Sequence, residues 1–275
     1  MDETMIATYC LCDDLLKAIH HQEDSQGQMN DAAVMSTTFT AALFFRGNHA
    51  SARAMLQQDG DMPPMLSKSR LSRRLHRLQD LLILFTNLLG QIWKTLTTDA
   101  IDVIESLPIA VYDNMRMRRA KLYTEEKYRG YTARRKRYVY GLNMHLMVTQ
   151  DGQPVACVLT HGGFGDVDAF KSYAYELPEG SIIDADKASN DYEIEDLLQA
   201  VDHMQLIPMR KKHSQRALPP SVSFVQHDHR NLVETAGSFM AQLLPKSIHT
   251  VTSQGFELKV ALFVIAYSLN CYLNL

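Results

Sequence analysis

Cysteine, excess charge and long apolar runs are all scarce in this sequence. Cys10, Cys12, Cys157 and Cys271 are its four cysteines in 275 residues, and no Cys-x-x-Cys pair occurs. That spacing argues against a zinc ribbon or a disulfide-stapled scaffold, and points to reduced, mostly buried thiols in a cytoplasmic protein. The opening MDETMIATYC has neither the basic start nor the apolar run of a secretory signal. The most apolar segment, FELKVALFVIAYSLNCYLNL, is interrupted by Glu257, Lys259 and Asn270. Its clean apolar part falls short of the ~20 residues that a bilayer span needs. It reads as a buried core helix, with a membrane span as the weaker alternative. The net charge is −3, so bulk electrostatics name no partner, and any polyanion binding must come from local clusters. Internal repeats and low-complexity tracts are absent. HGGFGD, from His161, fits neither the Walker nor the dinucleotide pattern and reads as a turn. QHDHR, from Gln226, lacks thiol or carboxylate partners at zinc-like spacing and reads as a polar loop.

What is present falls into two halves. Residues 1 to 95 carry helical periodicity only. Ile6, Leu11, Leu15 and Ile19 form one stripe, and a second helix runs from Asp31, a candidate N-cap, to Phe45 with Gly47 as its stop. In LSKSRLSRRLHRLQDLLILF, Leu71, Leu75, Leu78 and Leu82 lie on one side. Arg70, Arg73, Arg74 and Arg77 lie on the other, with Ser67 or Ser69 to cap the start. Such a basic face is either solvated or laid on DNA backbone.

From residue 96 onward strands alternate with helices. Ile101–Tyr112 and Arg137–Val148 read as strands, and Asp151-Gly152 turns the second into a third, Pro154–Thr160. Ser181–Asp186 and a short strand at Leu206 follow, separated by helices over 166–175 and 191–204. Helices over 229–244 and 253–273 close the chain. Three antiparallel strands followed by crossover units give an α/β mixed sheet of the ribonuclease-H-like kind behind an N-terminal all-α domain. The expected division is 1–95 and 96–275.

Glu105 is conspicuous on the first strand, because a carboxylate among Val103, Ile104, Leu107 and Ile109 is costly unless paired, neutralised or metal-bound. Asp186 closes the fourth strand, and Glu234 lies among Leu232, Val233, Ala236 and Gly237. In a ribonuclease-H-like sheet these three elements are neighbours, so the three acids converge. Clustered carboxylates suit hard divalent cations, Mg²⁺ or Mn²⁺, and two such ions serve phosphodiester chemistry. Each acid also has an ordinary reading: Glu105 paired with Arg118, Asp186 capping a turn, Glu234 bridging to Arg230. Asp102 points away from Glu105 by strand alternation, Asp184 is the runner-up for Asp186, and Asp113 a weaker alternative first acid.

A basic stretch follows the first strand: Arg116, Arg118, Arg119, Lys121, Lys127, Arg129, Arg134, Arg135, Lys136 and Arg137, interleaved with Tyr123, Tyr128 and Tyr131. Beside an acidic metal site it suits a phosphate backbone, with Arg116, Arg118, Arg119, Arg134, Arg135, Lys136 and Arg137 as candidate DNA contacts. Arg210, Lys211 and Lys212 form a run too short to interpret.

IESLPIAVYDNMRMRRAKLY, YRGYTARRKRYVYGLNMHLMVTQDGQPV, DADKASNDYEIEDLL and RNLVETAGSFMAQLLPKSIHTVTSQGFELKV together resemble bacterial insertion-sequence transposases of the DDE type. The resemblance runs from about residue 100 to the C-terminus, and LSKSRLSRRL resembles that family's helical N-terminal region. It implies a catalytic triad of Glu105, Asp186 and Glu234 with two Mg²⁺ or Mn²⁺ ions. It further implies double-stranded DNA as substrate, both as terminal repeats and as target, with a nicked 3′-hydroxyl joined to the target. A homodimer that synapses two ends, no membrane partner, and a cytoplasmic, nucleoid-associated bacterial location follow in the same way. Glu105 stands where the family usually has aspartate, Asn143 where lysine is typical in the motif ending at His145, and Ser189 where tyrosine is typical. The alternative is a degenerate copy that only binds DNA.

Overall fold

Asn30, not Asp31, starts the second helix. Its Oδ1 accepts from the Ala33 amide at 2.8 Å, and the left-handed Arg46 and Gly47 stop the helix. That frees Asp31 for a buried ion pair in which the Arg74 Nε donates to its Oδ1 at 2.8 Å, with His21 Nε2 2.9 Å from Oδ2. The structure, a computed structural model, describes residues 2–23, 27–58, 65–97, 100–113, 122–132, 136–172, 177–245, 248 and 250–274. Five helices come first: α1 (Asp2–Ala18), α2 (Asp31–Phe45), α3 (His49–Gln58), α4 (Lys68–Arg77) and α5 (Gln79–Leu96). The strands β1 (Ile101–Asp113), β2 (Arg129–Thr132), β3 (Arg137–Thr149) and β4 (Pro154–His161) follow. Then come α6 (Asp166–Ser172), β5 (Ile182–Ala185), α7 (Tyr192–Val201), β6 (Gln205–Pro208), α8 (Pro220–Leu243) and α9 (Ser253–Leu273).

These elements form two compact units, one of residues 1–89 with 240–275 and one of residues 90–239. The expected division at residue 95 differs from this in where the last helix belongs. Leu258, Leu262, Ile265 and Leu269 of α9, at helical spacing, share a core with Phe39, Leu71, Leu75 and Leu82. The apolar C-terminal segment is therefore a core helix of the first unit. Within α4 the four arginines do not form one solvent face: Arg70, Arg73 and Arg77 are exposed, whereas Arg74 is drawn in by Asp31. Ser67 caps this helix, accepting from the Arg70 amide.

In the second unit β1 pairs antiparallel with β3 and parallel with β5, which pairs parallel with β6. β2 and β4 follow one another along the outer edge of β3. The order β4–β3–β1–β5–β6, with helical crossovers, is the expected ribonuclease-H-like mixed sheet. The Asp151-Gly152 turn occurs as read, with Gly152 at φ +85° and its amide donating to Thr149 O at 2.9 Å. One face, carrying Ile104, Met147, Ile183 and Leu206, is covered by Phe170 of α6 and by Ile194 and Leu198 of α7. Helix α8 begins nine residues before the expected His229, at Pro220, whose fixed φ suits a first helical position.

Arg74→Ala leaves Asp31 buried with only His21 beside it, and is expected to cost about 2–3 kcal/mol. Arg73→Ala, on the exposed side, should stay within about 0.5 kcal/mol. Urea denaturation of the two variants checks the contrast.

Candidate active site

β1 and β5 pair only over Ile101–Val103. Beyond Val103 the two strands part, and the edge of β1 that would face β5 opens into a cleft of about 140 Å³. Glu105 lines it from β1. Asp186 lines it one residue past the end of β5, in extended backbone before a short 3₁₀ turn, Lys187–Ser189. Its carboxylate makes no capping bond. Glu234 and Arg230 line it from α8. The helix comes close enough here that a Cβ on Gly237 would lie 2.8 Å from Glu105 Oε2 and 3.0 Å from Leu107 Cδ2. A side chain there would have to displace the Glu105 carboxylate from its present position. The three acids named from sequence thus meet in one cleft. Asp102 points elsewhere, as strand alternation requires, and is buried in an ion pair with Lys94 at 2.7 Å.

Arg230 is the cation of the cleft. Its Nη1 donates to Asp186 Oδ1 at 2.9 Å and its Nε to Glu234 Oε1 at 2.8 Å. Among the described residues Glu105 receives no such bond: its Oε2 is buried without a hydrogen-bond partner. Burial first, then the charges of Glu234 and Asp186, push the Glu105 carboxyl up from 4.5 to about 7, with Arg230 opposing. The site therefore holds more negative charge than one guanidinium neutralises.

Part of the cleft wall is a polar cluster that sequence reasoning misplaced. Asp184, the runner-up acid, is buried, with Oδ2 2.5 Å from His229 Nδ1 and Oδ1 accepting from Gln226 Nε2 at 3.3 Å. Gln226 also donates to Ile207 O at 2.6 Å. QHDHR is thus helix, not loop, and two of its side chains face inward to fasten α8 to β5 and β6. The signal that would have found them is their spacing: Gln226, His229, Val233 and Ala236 make one buried helical stripe. His145 links Ser106 Oγ (2.7 Å from Nδ1) to Thr160 Oγ1 (2.9 Å from Nε2) beside the same cleft. Asn143, in the position where lysine is typical, points its amide at the Gly162 and Phe164 carbonyls. Ser189, in place of tyrosine, is buried and lines the cleft. Arg210 makes a bidentate pair with Glu195 at 2.6 and 2.9 Å, a structural use of that short basic run.

Of the expected DNA contacts, Lys136 and Arg137 are exposed at the start of β3. Arg116, Arg118, Arg119, Arg134 and Arg135 lie outside the described residues, and so does the suggested Glu105–Arg118 pair. Asp113 ends β1, well beyond the cleft.

Residues 95–250 match the family model described as "Transposase DDE domain". The match covers over half of the chain and includes all three acids, and the chain belongs to that family. No curated protein matches. Among solved structures, the chain is similar to a piggyBac transposase synaptic complex with hairpin DNA, at 11% identity and TM-score 0.48, over 98% of this chain and 72% of that one. It is also similar to a Mos1 transposase paired-end complex with left transposon end, at 13% identity and TM-score 0.25, over 88% and 80%.

Transposases of the DDE family generally use divalent metal ions. The donor chemistry here fits: three carboxylates, all oxygen donors, with one buried oxygen unsatisfied. Among the described residues no three acidic, histidine or cysteine side chains already form a cage. Loading would therefore involve release of Asp186 or Glu234 by Arg230.

Glu105 makes a signed prediction. An acid whose pKa is raised on folding favours the fold fully below its unfolded value, about 4.5, and loses that contribution as pH rises through about 7. In metal-free buffer Glu105→Gln should thus be the more stable protein above pH 7, by on the order of 2 kcal/mol. The gap should close toward pH 4.5. Denaturation midpoints across that range read it directly.

Proposed function

We propose that this protein is the transposase of a bacterial insertion sequence, which binds the element's ends, nicks them and joins the freed 3′-hydroxyl to target DNA. The observation that carries the reading is the convergence of Glu105, Asp186 and Glu234, from three separate elements of the family-matched segment, on one cleft. Glu105 of β1 and Asp186 just past β5 line the same cleft and would hold one Mg²⁺ or Mn²⁺, with Glu234 completing a second position. Bound there, such ions activate the attacking oxygen and stabilise the leaving one. Glu105 supplies its charge only on losing a proton that burial and the neighbouring acids hold up to about pH 7. Arg230, displaced from a carboxylate, is placed to meet a backbone phosphate. The exposed arginines of α4, with Lys136 and Arg137, supply sequence-independent backbone contacts. Action as a homodimer in the bacterial cytoplasm, on the nucleoid, belongs to the same reading.

A second reading rests on Arg230. Its simultaneous bonds to Asp186 and Glu234, beside a glutamate where the family usually has aspartate, suit a catalytically degenerate copy that only binds DNA.

Supercoiled DNA carrying the element ends, incubated with Mg²⁺ or Mn²⁺, separates the two. Nicking is expected for the parent and lost in Asp186→Ala and Glu234→Ala. Glu105→Asp should raise nicking, since a misplacement of ~1 Å can cost about a hundredfold in rate. End-specific binding without nicking sinks the enzyme reading and leaves the second. Nicking that survives Glu105→Ala removes Glu105 from the metal set.

A further inference from the structure

A β-bulge links the acid cleft to an aromatic patch at the far end of the sheet. Glu105, Leu107 and Ile109 stand opposite Leu146, Met144 and Leu142 of β3, on one face. The register then shifts between Ala110 and Tyr112, so that Tyr112 stands opposite Tyr140. An unbulged strand would send Tyr112 to the other face. The shift returns it to the face of Glu105. Arg129 of β2 is opposite Tyr140, and Tyr131 is opposite Tyr138, so these side chains continue the same face.

The row has two parts. Tyr112 and Tyr140 stack at 5.3 Å, and their hydroxyls donate to Tyr123 O and Glu126 Oε2, both at 2.9 Å. That inner pair is structural. The outer pair, Tyr131 and Tyr138, meets edge to face at 5.2 Å and stays open to solvent, 56% and 48% exposed. Arg129 lies over the Tyr138 ring at 4.3 Å, and exposed Lys136 and Arg137 adjoin it at the hairpin. Arg129 already covers one face of Tyr138 and donates to Glu126 Oε1 at 2.7 Å, so the exposed Tyr131 ring, backed by Tyr138, is the surface on which a base stacks, with Lys136 and Arg137 placed to take its phosphates. A paired base inside a duplex offers no open face, so the occupant must be unpaired.

We propose that Tyr131 and Tyr138 form a stacking platform for an unpaired nucleotide of the DNA, remote from the acid cleft. Along β3, Tyr138 is eight residues from Leu146, the partner of Glu105, which places the platform about 26 Å from the acids. At ~3.4 Å per nucleotide step this corresponds to about eight nucleotides. The site of stacking is therefore set by the sheet, and the proposal rests on DNA being the substrate.

The test measures anisotropy of two fluorescent probes with the full-length protein: a blunt duplex, and the same duplex with a single-stranded tail. The parent should prefer the tailed probe. Tyr131→Ala should lose roughly tenfold affinity for it with little change for the blunt probe, and Tyr131→Trp should restore the preference. Thermal denaturation run in parallel registers any loss of the cross-strand pair itself. Equal loss on both probes, no loss on either, or failure of the parent to bind the tailed probe would each overturn the platform. A parent that fails to nick yet shows a tail preference lost in Tyr131→Ala would defeat the transposition reading while leaving the platform standing.

Discussion

Helix α8 is held to the sheet by one buried carboxylate, Asp184, and the chemistry of the cleft depends on that attachment. Asp184 takes His229 and Gln226, and Gln226 in turn takes the Ile207 carbonyl of β6. Gln226 lies one turn before Arg230 and two turns before Glu234, so anchoring it fixes where both side chains emerge. The clamp joins the third acid's helix to the strand that delivers the second acid, two residues further on. A polar group this well buried is costly when its partners are removed, at about 1–3 kcal/mol. The register of α8 is thus set by hydrogen bonds as well as by apolar packing.

Above the clamp the balance is electrostatic. Glu105, Asp186 and Glu234 share one guanidinium, Arg230, in a half-buried cleft whose wall also carries Asp184. The protein responds in the two ways open to it: Arg230 neutralises the two acids it can reach, and Glu105, out of its reach, holds its proton more tightly. A divalent cation, if held by these acids, would compete with a proton at Glu105 and with Arg230 at Asp186 and Glu234, so its loading would couple proton release to movement of Arg230.

Most of the sheet was legible because its strands alternate and its turns carry their own chemistry, as at Asp151-Gly152. The convergence of the three acids was legible once the strand order was read, because parallel pairing of β1 with β5 brings distant segments side by side. Three features were not. QHDHR reads as a polar loop because its buried members are polar, and their burial depends on Asp184, distant in sequence. Arg74 reads as one of four exposed arginines because the periodicity of α4 carries no record of Asp31 across the unit. The last helix reads with the sheet, but its apolar stripe completes the core of α2, α4 and α5. Each miss is a long-range pairing that overrides a local pattern.

Glu105 and Gly237 are best understood as a pair. The longer acid extends its carboxylate from β1 to the backbone of α8, where the missing Cβ of Gly237 leaves room for Oε2. There the oxygen meets neither Arg230 nor any other donor among the described residues. An aspartate would end one methylene short of Gly237. A larger residue at 237 would force the same retreat on Glu105 or push α8 away. The geometry of the first acid is therefore shared between a strand and a helix, and the depth at which Glu105 holds its proton follows from that shared fit.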